Sequence, residues 1–128
     1  MVRRYQSALV TGGAGFIGSH IVDRLVEEGF EVRVLDDLST GSLKNIDEHL
    51  GKNGFHFLKG DIRDPNVLRN ALKGVEMVFH EAALTSVPDS VADPLSTNEV
   101  NATGTLKLLK ASAQLGVRRL IYASSSSV

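Results

Sequence analysis

The sequence predicts an α/β domain built on a doubly wound parallel sheet of five strands, in the order 3-2-1-4-5, with helices on both faces. Three observations predict it. Short apolar segments of strand length alternate with longer helical ones along the 128 residues. Two Asp-Pro pairs, Asp64-Pro65 and Asp93-Pro94, each place a capping carboxylate before a proline suited to the first helical position. A run with four glycines, TGGAGFIGSH (Thr11 to His20), separates the first strand from the first helix. Strands joined through helices pair in parallel by right-handed crossovers and carry helices on both faces.

Each element follows in turn. Ser7 to Thr11 is a short buried strand that ends at the glycines. From Phe16 to Glu28, Ile17, Ile21 and Leu25 recur on one helical face with Val22 and Val26 beside them, and Gly29 stands where a left-handed cap belongs. Glu31 to Leu35 is the second strand and Phe55 to Leu58 the third. Asp64-Pro65 opens a helix, and Val75 to Phe79 makes the fourth strand. Asp93-Pro94 opens a long helix expected to run to about Leu115, with Gly116 ending it, and Leu120 to Ala123 is the fifth strand. Ligands of such sheets bind at the carboxyl ends of the strands where the order reverses, here between strands one and four. The clusters TGGAGFIG, LDDLSTG, KGDIRD, HEAALTSVP and ASSSSV all fall at those ends.

Composition sets outer bounds. The length suits one domain with one core. A formal net charge of -1 gives no reason to expect nucleic acid or an anionic membrane as partner, and Arg3 and Arg4 are too few for a nucleic-acid tail. Cysteine is absent, so disulfides and thiolate metal ligands are excluded, and the four histidines show no metal-ligand spacing. The apolar run Ala8-Leu9-Val10 is too short for a signal-peptide core, and no run approaches a membrane span. A cytoplasmic location is the expectation.

The glycines carry the chemistry. Gly12 allows a tight turn, Gly15 lets backbone amides approach a pyrophosphate, and Gly18 lets the helix lie close to the strand. Unpaired N–H groups and the positive end of the helix dipole then face the phosphates. Asp36, at the end of strand two and roughly twenty residues on, is placed to accept hydrogen bonds from a ribose diol. An acid there would repel a 2′-phosphate, so a Rossmann-type NAD site is expected rather than one for NADP. Arg33 alternates onto a sheet face and is not counted as a phosphate reader.

The glycine spacing at 12, 15 and 18 resembles that of the extended short-chain dehydrogenase/reductase family, and TGGAGFIGSH as a whole looks like its nucleotide-sugar epimerases and dehydratases. The resemblance runs the length of the chain through DDLSTG, GDIRD, HEAA, SVPDS, the asparagine-containing start of the long helix, and ASSSSV. It implies that Phe16 and Ile17 offer backbone amides to the pyrophosphate, and that Asp36 holds the adenosine ribose. Asp37, Ser39, Thr40 and Gly41 would line the adenine side, and Asp61 and Ile62 would flank the adenine edge. Ala82, Ala83 and Leu84 would run under the nicotinamide half, and Asn101 would tie the long helix to the cofactor strands or touch the ligand. Asp64 is explained by helix capping alone.

By the same resemblance, Ser125 hydrogen-bonds the sugar hydroxyl being oxidised, Ser124 sits by the nicotinamide, and Ser86, Val87, Pro88 and Ser126 border the substrate. The family's dehydratases carry Asp and Glu where this chain has Ser126 and Ser127, which favours epimerisation over dehydration. The loop HEAALTSVPDS leans toward 4-epimerases of UDP-hexoses. His80 and Glu81 invite an acid–base role, but a histidine ending a buried strand more often satisfies backbone groups. Asp89, Asp93 and Glu99 are expected to be solvated or capping.

The family's general base is a tyrosine followed four residues later by a lysine. Tyr5 and Tyr122 are followed at that distance by Leu9 and Ser126, so neither starts the motif. The chain is therefore expected to be the N-terminal, NAD-binding part of a larger enzyme, a homodimer when full length, and inactive alone. The alternatives are a dehydratase or reductase of the same family, or a non-catalytic dinucleotide-sensing module.

Overall fold

The structure is a computed structural model that describes residues 5–126. Its sheet has the order β3-β2-β1-β4-β5, built from β1 (Ser7–Thr11), β2 (Glu31–Asp36), β3 (Phe55–Lys59), β4 (Met77–His80) and β5 (Arg119–Tyr122). Every pairing is parallel. The helices are α1 (Phe16–Glu27), α2 (Pro65–Leu72), α3 (Val87–Ala92), α4 (Pro94–Asn98) and α5 (Gly104–Gln114). No helix among the described residues is long and apolar enough to cross a membrane.

Alternation along the strands divides the interior into two layers. Ala8, Val10, Val32, Val34 and Met77 face α1, where Val22 and Leu25 meet them, with Ile46 and Phe55 completing the layer. Leu9, Leu35 and Val78 face the other way, onto Leu68, Ala71 and Leu72 of α2 and Leu108 of α5. Leu9, Leu35, Leu68, Leu72 and Leu108 are essentially fully buried, each contributing roughly 1.5–3 kcal/mol of apolar transfer. Arg33 shares the parity of Leu9 and Leu35, and its guanidinium finds a use there. Its Nη1 donates to the carbonyls of Asn70, Ala71 and Lys73 at 3.4, 3.1 and 2.6 Å, capping the end of α2.

Most boundaries fall where capping chemistry put them. Asp64 accepts from the N–H of Asn66 and Val67 at the head of α2, and Asp93 accepts from Ser96 at the head of α4. Gly29 and Gly116 both end their helices at φ +79°. Four departures have local causes or signals. Strand β4 begins at Met77 rather than Val75, because the Ser7 hydroxyl takes the Glu76 N–H and donates to the Gly74 carbonyl. Strand β5 begins one residue early, with the Arg119 N–H on the Glu76 carbonyl. The segment read as a loop after Leu84 contains α3, capped by Ser86, whose hydroxyl accepts the Asp89 N–H at 3.3 Å. The long helix opened by Asp93-Pro94 runs unbroken to Gln114, but a π-helical turn (Glu99–Thr103) interrupts its α-helical hydrogen bonding between α4 and α5. Among the described residues β5 pairs only with β4, so its outer edge keeps open backbone groups.

Candidate functional site

The carboxyl ends of the strands enclose a cleft of about 470 Å³ at the β1/β4 reversal. Its floor is the turn from β1 into α1. Gly12 lies at φ +67°, and a Cβ there would sit 2.7 Å from the Ala82 nitrogen. A Cβ on Gly18 would collide with the Gly12 carbonyl, at 2.8 Å from its carbon and nearer still to its oxygen. These two contacts lock turn, helix and β4 loop together. Gly15 differs, since its Cβ would meet only the Gly12 oxygen at 3.2 Å and otherwise enters open space.

Helix α1 begins at Phe16 with no side-chain cap and no acidic residue in its first turn. Its first N–H groups are thus left to an external acceptor, and the helix dipole adds partial positive charge there. The Phe16 and Ile17 side chains are 79% and 62% exposed at the cleft mouth, so their contribution on the floor is their backbone.

Opposite stands Asp36, only 9% exposed. Its Oδ2 accepts the Ala14 N–H at 3.0 Å and its Oδ1 the Leu38 N–H at 2.9 Å. Each carboxylate oxygen keeps a further acceptor site. The second bond helps hold Leu38 at φ +62°, a backbone region an apolar side chain rarely visits. The Ala14 carbonyl in turn accepts from the Ser42 N–H at 3.0 Å and Asn45 Nδ2 at 2.8 Å, so the loop after β2 is stapled to the glycine turn. Asp37 folds back on Ser39, accepting from its N–H and hydroxyl.

The third side comes from β3 and β4. Arg63 forks onto Asp61, with Nε 3.0 Å from both carboxylate oxygens and Nη2 2.6 Å from Oδ2. That hydrogen-bonded guanidinium holds the Asp61 carboxyl below its ordinary pKa. After β4, the Thr11 hydroxyl accepts the N–H groups of Glu81 and Ala82 at 3.1 and 3.2 Å. Asn101, inside the π-helical turn, accepts the Leu84 N–H and donates to its carbonyl, both at 2.8 Å. His80 is buried between Thr11, 2.6 Å from Nδ1, and Thr105, 2.8 Å from Nε2. Burial lowers the His80 pKa and raises that of Glu81.

The fold therefore brings the sequence-predicted nucleotide residues to one place. Gly12, Gly15, Phe16, Ile17, Gly18, Asp36, Asp37, Ser39, Thr40, Gly41, Asp61, Ile62, Ala82, Ala83, Leu84 and Ser124 all line the cleft. Asn101 does not, because its amide is engaged by Leu84 behind the wall. Ser86, Val87, Ser125 and Ser126 lie outside the lining as well. Ser86 caps α3, Val87 is 71% exposed, and Ser125 and Ser126 are exposed past β5. Ser127 lies outside the described residues. His80 satisfies two hydroxyls rather than backbone groups. Thr11, Ala14 and Thr105 were missed; a threonine closing an otherwise apolar buried strand was the available signal for the first. Away from the cleft, His49 bonds Asp23 at 2.7 Å with Glu48 at 3.5 Å, tying the segment after β2 to α1.

Residues 8–128 match the family described as "NAD dependent epimerase/dehydratase family". A UDP-glucose 4-epimerase of Mycolicibacterium smegmatis is 44% identical over 119 residues, which is 91% of this chain and 38% of that protein. Among solved structures, a UDP-N-acetylglucosamine 4-epimerase from Methanobrevibacter ruminantium superposes with a TM-score of 0.89 at 40% identity, covering 98% of this chain and 40% of that one. The UDP-glucose 4-epimerase of Thermus thermophilus, solved in complex with NAD, gives 0.83 at 45% identity, covering 94% and 38%. The chain thus spans about two fifths of the length of these relatives.

Proposed function

The chain belongs to the NAD dependent epimerase/dehydratase family, and on that premise we propose that it is the NAD-binding part of a nucleotide-sugar 4-epimerase of the UDP-hexose type. The observation that carries the proposal is the pairing of an uncapped α1 N-terminus with a buried Asp36 across one cleft, joined through Ala14. A diphosphate suits the first and a ribose diol the second. The open space beside Gly15 fits the diphosphate, since a side chain there would enter it.

In this reading the amides of Phe16 and Ile17 bind the diphosphate and Asp36 the adenosine ribose. Asp37 to Gly41 border the adenine with Asp61 and Ile62, while Ala82 to Leu84 and Ser124 border the nicotinamide half. Bound NAD supplies a hydride acceptor for transient oxidation at C4 of the sugar. Ser125 hydrogen-bonds the C4 hydroxyl and orients it, with Ser86, Val87 and Ser126 beside the sugar. Proton removal is assigned to none of these residues, because neither Tyr5 nor Tyr122 heads a Tyr-x-x-x-Lys motif. Serine at 126 and 127 supports epimerisation over dehydration, as a hydroxyl is a poor acid or base near neutral pH. For the homodimer of the full-length protein, α5 offers the exposed Leu106 and Leu109.

Titration of the ¹⁵N-labelled chain with NAD and with NADP tests the proposal. NAD should shift the amides of residues 12–18 and 36–41, and NADP should bind more weakly because of Asp36. The chain alone should not interconvert UDP-glucose and UDP-galactose. Shifts confined to another surface, or equal affinity for NADP, would refute the assignment.

A further inference from the structure

We infer that His80 is a positioning residue for the cleft: as the neutral Nε2–H tautomer it turns the Thr11 hydroxyl so that both lone pairs of its oxygen receive the Glu81 and Ala82 amides. Donor counting leads there. The Thr105 hydroxyl donates its one proton to the Asn101 carbonyl at 2.6 Å. Its contact with His80 Nε2 at 2.8 Å must then be one in which the ring donates. The uncharged ring consequently has a lone pair on Nδ1, and the Thr11 hydroxyl donates to it at 2.6 Å. The threonine oxygen has two acceptor sites left, and two N–H groups converge on it, Glu81 at 3.1 Å and Ala82 at 3.2 Å.

The arrangement has no spare capacity. Glu81 shares its N–H with the Thr11 carbonyl at 3.1 Å, whereas Ala82 is held by the hydroxyl. If Nδ1 carried a proton, three donors would compete for two lone pairs, and of the two amides Ala82 is the one with no second acceptor among the described residues. Its nitrogen is also the atom 2.7 Å from the position of a Gly12 Cβ. Loosening Ala82 therefore loosens the packing between the glycine turn and the β4 loop, the two walls that flank the ligand. Burial, which lowers the pKa of the ring, favours the neutral form that this geometry requires. The consequence for NAD rests on the function proposed above; the hydrogen-bond relay does not.

Two nearly isosteric replacements separate positioning from space filling. His80→Asn puts an amide oxygen where Nδ1 lies and can still accept from Thr11, whereas His80→Leu cannot. In the 128-residue chain without nucleotide, ¹⁵N spectra should show His80 protonated at Nε2 near neutral pH. Amide exchange at Ala82 should rise about tenfold in His80→Leu, the loss expected for one hydrogen bond, and stay within about threefold of wild type in His80→Asn. NAD affinity, measured by titration, should follow the same order. Should His80→Leu fail to fold, Thr11→Val and Thr11→Ser provide the comparison, the serine recovering what valine loses. A proton on Nδ1, or equal damage from Asn and Leu, or from Val and Ser, overturns the inference. If NAD shifts nothing in the wild-type chain the cofactor assignment falls, while tautomer and exchange still decide the role of His80.

Discussion

Replacing Asp36 with asparagine keeps the size and shape of the side chain but leaves it one acceptor oxygen instead of two. Both oxygens are engaged in the native structure, Oδ2 by the Ala14 N–H and Oδ1 by the Leu38 N–H. The asparagine NH₂ must therefore point at one of two backbone donors. A hydrogen bond to a charged partner is worth about 1.5–3 kcal/mol, and leaving a buried N–H unpaired costs about 1–3 kcal/mol. These costs overlap, so Asp36→Asn should destabilise the chain by about 2–4 kcal/mol. For a domain of this size that corresponds to a fall in Tm on the order of 10 °C. Urea and thermal unfolding followed by circular dichroism, without nucleotide, would measure it. A variant within about 0.5 kcal/mol of wild type, the usual range for a surface substitution, would show that the two amide bonds do not hold the β2 loop. The idea that Asp36 is a structural staple, beside the ribose-binding role proposed for it, would then be abandoned.

Gly18→Ala should cost about 3 kcal/mol despite alanine's better helix propensity, because its Cβ meets the Gly12 backbone; Gly15→Ala, facing open space, should cost under about 1 kcal/mol, and urea midpoints compare the two. Arg33→Met removes the donor from three carbonyls at the end of α2 and should lose about 1–3 kcal/mol by the same measurement. Stability should also depend on pH through His80, whose folded-state pKa burial lowers below the ordinary value near 6.5. Below that pH the unfolded chain binds the proton more readily than the folded one. The His80 contribution is therefore fully present above about pH 6.5 and is lost as pH falls through the folded-state value. Unfolding midpoints at pH 7.5, 6.5 and 5.5 should fall more steeply for wild type than for His80→Asn, and parallel profiles would contradict the assignment.

The sheet order was legible because its signals are local and repeat. Periodic apolar residues mark α1, the Asp-Pro pairs mark two helix starts, and Gly29 and Gly116 mark two ends. That the residues expected to hold a nucleotide share one cleft has a related reason: a parallel sheet gathers its strand ends, so residues scattered from Gly12 to Ser124 meet there. What the sequence hid were bonds between distant residues. Parity placed Arg33 on a face, but only the fold brings the end of α2 under it. Asn101 was identifiable as a tether, yet its binding to both polar backbone groups of Leu84 depends on the π-helical turn, which has no periodic signature of its own. Ser86 and Pro88 did carry the start signal of α3, but a six-residue helix is too short for a periodic pattern to confirm.

The two ends of the cleft are built differently, and the difference bears on how it works. At the Asp36 end, Ala14 is a buried hub whose N–H and carbonyl fasten the β2 loop to the glycine turn through Asp36, Ser42 and Asn45. The donors and acceptors proposed for the adenosine half are thus fixed before any ligand arrives, so binding need not order them. At the other end the wall from Glu81 to Leu84 is pinned from behind by Thr11 and Asn101, but Ser86, Val87, Ser125 and Ser126 stand exposed outside it. An epimerase must hold its cofactor throughout turnover while the keto sugar presents either face to it. On the function proposed above, the fastened Asp36 end answers the first of those demands, since the groups that would hold the nucleotide are already tied in place through Ala14.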